Sequence, residues 1–372
     1  MGKGKNKPFI RIVIAVVGLL FVLGIVLIWL KPKSPQTELK LAREAINSAQ
    51  KAGAEEYAKP LYKEAKQLYD SAMSSWTAQN ERFFPRRDYR EVLSFVNLTI
   101  AKAIHAEQNS LQQIKNTNVI AKRGIEDLEG KILLYNRIYK QIPLSKTVSK
   151  AHNLGVMKLS EAKIAYDSER YNEAFVSYKE ADGLLNSSND KAEQILKEWF
   201  SDYPHWEKMG ADAIRLSKSG HKIILVDKMA HQLFVYQNGK ILRSFKAELG
   251  VNWMGDKRQK GDKATPEGMY RVIQKKEGSR TKFYRALLIN YPNEEDKQRF
   301  DSEKKKGALP FRTHIGNLIE IHGLGGKGID WTDGCIALKN KDMDVLFCLI
   351  DTGISVIIVG SLEPLNEICG KN

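Results

Sequence analysis

Two residues near the C-terminal end of this 372-residue chain have the types and spacing that nucleophilic catalysis requires. Cys335 lies in Trp331-Thr-Asp-Gly-Cys-Ile-Ala337, and His322 lies thirteen residues earlier in Ile319-Glu-Ile-His-Gly323. A thiol attacks as its thiolate, and a neighbouring imidazole is the commonest means of removing the proton near neutral pH. His322 is expected to end a strand and Cys335 to open the next turn. Two such ends can meet across a cleft at the ~2.6–3.2 Å that proton transfer needs, with the sulfur expected to be largely ionised. Gly323 frees its carbonyl to approach the imidazole and fix its tautomer, the task of an acid in other triads. Gly334 permits a sharp turn that would aim the N–H groups of 334 and 335 at a developing oxyanion.

The elements that must hold these residues follow from a change of period. From Lys222 onward the period changes from about 3.6 to 2, and Lys222–Asp227 and Gln232–Gln237 read as strands. Asn238-Gly239 then joins the second run to Lys240–Phe245, the strongest local hairpin signal. Thr265-Pro-Glu-Gly268 leads into a strand at Met269–Ile273, and further strands are expected at Ala286–Ile289, Leu318–Ile321 and Ser355–Val359. One helix, Lys341–Asp351, follows the cysteine. Residues 220–361 therefore read as a mainly-β barrel or sandwich domain.

Residues 37–217 read as an all-α domain of helical hairpins with a repeat-like pattern. Glu64-Ala-Lys-Gln-Leu-Tyr-Asp-Ser71 returns as Glu161-Ala-Lys-Ile-Ala-Tyr-Asp-Ser168, each followed by a polar turn and a helix opening near an aromatic, Tyr89 and Tyr171. Such a segment serves as a spacer or as a docking surface for a protein partner. Residues 1–31 read as a basic tip and a transmembrane anchor. Ile12–Leu30 is 19 apolar or small residues, spanning roughly 28 Å as a helix. Lys3, Lys5, Lys7 and Arg11 precede it, which orients the N-terminus to the cytoplasm and the remainder to the periplasm or extracytoplasmic space. The multidomain order is thus membrane helix, helical hairpins, β domain. A cleaved signal peptide is the rival reading.

The net charge of +15 is compatible with nucleic acid, an anionic membrane or a polyanionic wall. The cations are spread along the chain without a nucleic-acid motif, so no nucleic-acid partner is expected. Cys335, Cys348 and Cys369 do not make a disulfide framework; Cys348 sits in an apolar helical run as a buried, inert thiol. His221, His231 and His314 with Cys335 match no metal-ligand spacing, and no cofactor is expected. Gly323-Leu-Gly-Gly-Lys-Gly328 lacks phosphate-loop spacing and reads as a flexible loop lining the substrate site. Asp256–Lys263 and Glu303–Lys306 read as exposed loops. Trp253 and Trp331 are packed or stack on substrate.

Several separated segments resemble the L,D-transpeptidase catalytic domain (YkuD-like) family over about residues 220–360. They are the hairpin Gln232–Phe245, Gly261-Asp-Lys-Ala-Thr-Pro-Glu-Gly-Met-Tyr270, Phe283-Tyr-Arg-Ala-Leu-Leu-Ile-Asn-Tyr-Pro-Asn293, Ile321-His-Gly323 and Thr332-Asp-Gly-Cys-Ile336. The resemblance implies attack by Cys335 on the third residue of a peptidoglycan tetrapeptide stem, expulsion of the terminal D-alanine, and acyl transfer to an amine of another stem. His322 would be the base and Gly323 its orienting carbonyl. Trp331, Thr332, Asp333, Gly334 and Tyr291 would form the oxyanion and substrate-binding side. Many members read Ser-His-Gly-Cys-Ile-Arg, whereas this chain has Asp333 and Ala337 at the varied places, and so lacks a guanidinium that could brace the loop. The same pair would equally serve an L,D-carboxypeptidase or a cross-link hydrolase, with water as acceptor. A non-catalytic peptidoglycan-binding scaffold is the alternative without chemistry.

Overall fold

The computed structural model describes residues 7–29 and 32–370. Lys3, Lys5, Leu30 and Lys31, on which the anchor expectation partly rests, lie outside the described residues. Helix α1 (Lys7–Trp29) carries the apolar stretch Phe9–Val26, long and apolar enough to cross a membrane and with none of it buried. A membrane anchor and a signal sequence share these properties.

The rest of the helical region comprises α2 (Gln36–Lys51), α3 (Ala54–Tyr57), α4 (Lys59–Glu81), α5 (Arg90–Arg137), α6 (Lys146–Asp167), α7 (Tyr171–Trp199) and α8 (Tyr203–Ser217). The chain divides into two compact units, Met1–Ile125 with Ser160–Tyr178, and Glu126–Leu159 with Lys179–Asn372. The first unit has an alanine-rich core: Ala42, Ala49, Ala65, Ala72, Ala103 and Ala106 are fully buried. Small side chains at the contacts let helix axes approach closely. Both copies of the repeated octapeptide belong to this unit, and Ala65 and Ala162 are equally buried in them. Their surroundings differ, because α4 runs on to Glu81 after Ser71 whereas α6 ends at Asp167.

The second unit is built on a curled eight-stranded sheet. Its strands are β1 (Ile223–Asp227), β2 (Gln232–Gln237), β3 (Lys240–Lys246), β4 (Gly268–Glu277), β5 (Arg285–Ile289), β6 (Glu320–His322), β7 (Ile336–Ala337) and β8 (Ser355–Val359). They are ordered β3-β2-β1-β8-β4-β5-β6-β7. Asn238 and Gly239 both take positive φ, 55° and 75°, as the hairpin turn demands. β1 and β8 are apolar almost throughout and nearly completely buried, as expected of strands covered on both faces. Helix α8 packs on β1 and β8, with Trp206 set against Gly360, where any side chain would collide with the indole.

Beyond β3 the chain crosses to β7. Glu248 forms an antiparallel bridge with Ala337 and Gly250 a parallel one with Thr332, which brings the two ends of the sheet together. The single C-terminal helix expected after the cysteine is α10 (Asn340–Leu349). A second helix, α9 (Glu294–Lys305), was not expected, and it absorbs most of the segment Glu303–Lys306 that reads as a loop. It carries no apolar stripe, so periodicity could not reveal it. Its start is marked by a capping box between Asn293 and Asp296. A short α11 (Leu365–Gly370) follows β8.

Candidate active site

β6 fixes His322 from both sides. It pairs antiparallel with β5, Ala286 opposite His322, and parallel with β7, His322 opposite Ala337. Extending the second register by one residue sets Cys335 beside Glu320, and side chains two apart on a strand share a face. His322 and Cys335 accordingly line one cleft of about 690 Å³, with Phe283, Trp331, Thr332 and Lys257 among its other walls.

The imidazole is completely buried. Phe283 stacks on it with ring centroids 3.6 Å apart and planes 5° from parallel, and Trp331 meets it edge-on at 5.9 Å. Its Nδ1 lies 2.6 Å from the Gly323 carbonyl. A carbonyl only accepts, so the neutral ring carries its proton on Nδ1 and leaves the Nε2 lone pair free. Nε2 is one of the few buried side-chain atoms among the described residues without a hydrogen-bond partner. The expected hydrogen bond between the imidazole and the Cys335 thiol is therefore not made: Nε2 is unpartnered and the sulfur pairs with backbone groups of Glu320 and Leu318, although both side chains line the same cleft.

Cys335 Sγ accepts from the Glu320 N–H at 3.4 Å, and its thiol faces the Leu318 carbonyl at 3.7 Å. Burial pushes the thiol up to about 11, partly offset by the Glu320 N–H. Burial likewise pulls His322 below the usual imidazole value, against the upward effect of the Gly323 carbonyl. The expected thiolate is therefore corrected: at neutral pH the free site holds a neutral thiol and a neutral imidazole, because desolvation penalises both charges.

The nucleophile turn is locked through its backbone. Thr332 N–H donates to Leu249 O at 3.1 Å and Val251 N–H to Thr332 O at 3.2 Å. Thr332 Oγ1 donates to Cys335 O at 2.6 Å and accepts the Gly334 N–H at 3.2 Å. The Gly334 N–H is thus committed to Thr332 in the free site, so of the two amides expected to face an oxyanion one is already paired. Gly334 has φ 127°, and a Cβ there would stand 2.5 Å from the Ala264 carbonyl. Asp333 is exposed beside the turn, with Lys257 Nζ 3.5 Å from its carbonyl.

Other expected residues lie elsewhere. Tyr291 is buried, donates to Ile315 O at 3.3 Å, and does not line the cleft. Trp253 is buried against Trp199 and His231. The glycine-rich segment after Gly323 lines a different pocket, through Gly326 and Gly328, and is tied down by Glu248. It is not a flexible wall of the Cys335 cleft. Cys348 is exposed, not buried, and all three cysteines are free; α10 turns Met343 and Leu346 inward and Cys348 outward.

Several residues of the site were missed. Phe283, which opens the motif Phe283–Asn293, stacks on the imidazole, whereas its neighbours Tyr284 and Arg285 bind Asp344 outside the cleft. Lys257 lies in a segment read as an exposed loop but is buried, paired with Asp262 at 2.6 Å. The cleft also holds Glu320, paired with Lys276 at 2.8 Å.

Residues 221–359 match the model of the YkuD family, the L,D-transpeptidase catalytic domain. The matched segment is the curled mainly-β domain, which follows a helical region with one apolar N-terminal helix. Among curated proteins, the chain is 28% identical over 167 residues to the Escherichia coli K12 protein named "Putative L,D-transpeptidase YafK", covering 44% of this chain and 55% of that one. The match therefore spans about half the length of this relative. Solved structures with similarity include Bd1075 of Bdellovibrio bacteriovorus, at 24% identity over 41% of this chain and 52% of that chain, TM-score 0.30. Another is an L,D-transpeptidase of Xylanimonas cellulosilytica, at 16% identity over 38% and 61%, TM-score 0.26.

Proposed function

We propose that this protein is a membrane-anchored L,D-transpeptidase in which Cys335 and His322 carry out acyl transfer on peptidoglycan tetrapeptide stems. The observation that carries the reading is the orphaned Nε2 of a fully buried His322, whose Nδ1 is held by Gly323, in the cleft that also contains Cys335.

Because both groups start neutral, proton transfer and attack are coupled. Nε2 takes the Sγ proton as sulfur bonds to the carbonyl carbon of the third stem residue. The Cys335 N–H receives the developing oxyanion. The tetrahedral centre then breaks its C–N bond, and the imidazolium returns the proton to the departing D-alanine amine. A stem amine next attacks the thioester, loses its proton to Nε2 and expels the sulfur, which regains it. The product links two third-position residues.

The apolar run at 12–30 supports an anchor with the N-terminus in the cytoplasm, the helical region and residues 220–361 lying outside. Trp331 and Thr332 would shape the binding side of the cleft.

Full-length protein in detergent, given disaccharide-tetrapeptides, should release D-alanine, and Cys335→Ala should abolish release. Mass spectrometry of the products distinguishes a cross-linked dimer, as proposed, from tripeptide alone, the hydrolytic outcome. Undiminished release by Cys335→Ala would overturn the assignment.

A further inference from the structure

The chain lacks a side chain at 337 able to brace the nucleophile loop, and the structure points to where a brace comes from. Glu248 stands directly across from Ala337 in the bridge that closes the sheet, exchanging backbone bonds of 2.9 and 2.8 Å. Residues paired in this way project to the same face, with Cβ atoms about 4.5–5.5 Å apart. The methyl group of Ala337 leaves that face open to the half-buried Glu248 carboxylate.

That carboxylate reaches into the loop joining His322 to Cys335. One oxygen accepts the N–H groups of Gly326 and Gly328, at 3.0 and 2.6 Å, and the other accepts the indole N–H of Trp331 at 2.8 Å. Gly326 and Gly328 have φ of 95° and 76°, conformations that turn successive amides toward one anion. Hydrogen bonds to an ionised carboxylate are roughly twice as strong as neutral ones. Asp330 adds a second hold on the same loop, accepting the Leu249 N–H at 2.8 Å and meeting His231 Nε2 at 2.9 Å.

We propose that Glu248 is a positioning residue: its carboxylate fixes the loop 324–331 and thereby holds Trp331 as the wall that keeps water from the His322 imidazole. The inference rests on the reading of His322 and Cys335 as the reacting pair. Glu248 touches neither of them and acts through Trp331. The charged groups bearing on His322 are Glu320, Lys282 and Lys327, the last with its Nζ 3.2 Å from the Trp331 ring centroid. Those sharing the pocket of Glu248 are Lys140, His231, Lys246, Asp330 and Lys339.

Glu248→Gln is the informative change. If its carbonyl oxygen keeps the two glycine amides, its NH₂ confronts the indole N–H, donor against donor, and Trp331 is released. In full-length protein, kcat on a tetrapeptide should fall up to about 100-fold, with KM changed far less. The acid limb of the pH profile should move upward, because water reaching His322 removes the burial that depresses it. Trp331→Phe should move the limb in the same direction, and Glu248→Gln added to Trp331→Phe should cost little more. Additive losses, or an unmoved limb in a variant with wild-type thermal stability, would overturn the proposal. Alkylation of Cys335 by iodoacetamide, in protein with Cys348→Ser and Cys369→Ser, reads the same His322 inflection without substrate. Its shift in Glu248→Gln supports the brace even where the tetrapeptide is not turned over, so failure of the substrate reading and failure of the brace are distinct results.

Discussion

Two pockets are lined by successive parts of the loop between His322 and Cys335, and their chemistry differs. At the Cys335 end the imidazole and thiol are kept uncharged against Phe283 and Trp331, although Lys257, Lys276, Lys282 and Glu320 line the same cleft. At the Gly326–Asp330 end the walls are ionic: Glu248, the His231–Asp330 pair, Lys246 and Lys339. The difference teaches how the labour is divided. Full charges give directional, strong hydrogen bonds suited to fixing a loop, whereas a buried neutral base keeps its lone pair available for a proton.

The comparison can be broken most severely at its neutral end. His322→Ala should lower acylation about 10²–10⁴-fold, the usual range for a general base, in protein that still melts cooperatively. Gly334→Ala attacks the turn itself. Its φ of 127° and the 2.5 Å approach to Ala264 O leave no room for a methyl group. About 1–3 kcal/mol of backbone strain, with the clash in addition, should lower both the melting temperature and the rate.

Titration sharpens the contrast. With Cys335 pushed up to about 11, ultraviolet titration near 240 nm should detect no Cys335 thiolate in free protein at pH 7 to 9. His322 lies below its ordinary value near 6.5, so activity should stay level down to that pH and fall only beneath it, as the base becomes protonated. A thiolate signal at neutral pH would contradict the neutral pair. The smallest effect is expected at the ionic end. Burial opposes the His231 cation, but Asp330 outweighs it and His231 is raised overall. Its contribution is therefore complete below about 6.5 and lost as pH rises through the higher folded value. His231→Gln should cost at most about 1 kcal/mol, measurable by denaturant titration at pH 5.5 and absent by pH 9.

Much of the sheet was legible, because β1, β2, β3, β5 and β8 are contiguous apolar or alternating runs and Asn238-Gly239 dictates its turn. Strand β6 starts two residues later than the apolar pattern suggests: Leu318 adopts φ 59° and cannot continue a strand. β7 has only two residues, too few for any period, and is a strand because it pairs in parallel with β6. His322, Gly323 and Cys335 could be singled out by residue type and glycine neighbours. The Phe283 stack and the Glu248 brace could not, since they join residues 39 and 78–83 positions apart. The ionisation of Cys335 was not legible either, because composition carries no measure of how deeply a thiol is buried.

Glu267 takes the indole N–H groups of Trp199 and Trp206, at 3.3 and 2.9 Å, while binding the fully buried Lys228 at 2.7 Å. Lys228 also holds the carbonyls of Gly255 and Thr265, so the segment that delivers Lys257 to the cleft depends on two tryptophans supplied by helices. A recombinant fragment cut at the first strand would strip both donors from a buried ion pair and bare the Gly360 face. The smallest soluble version worth crystallising should begin upstream of Trp199.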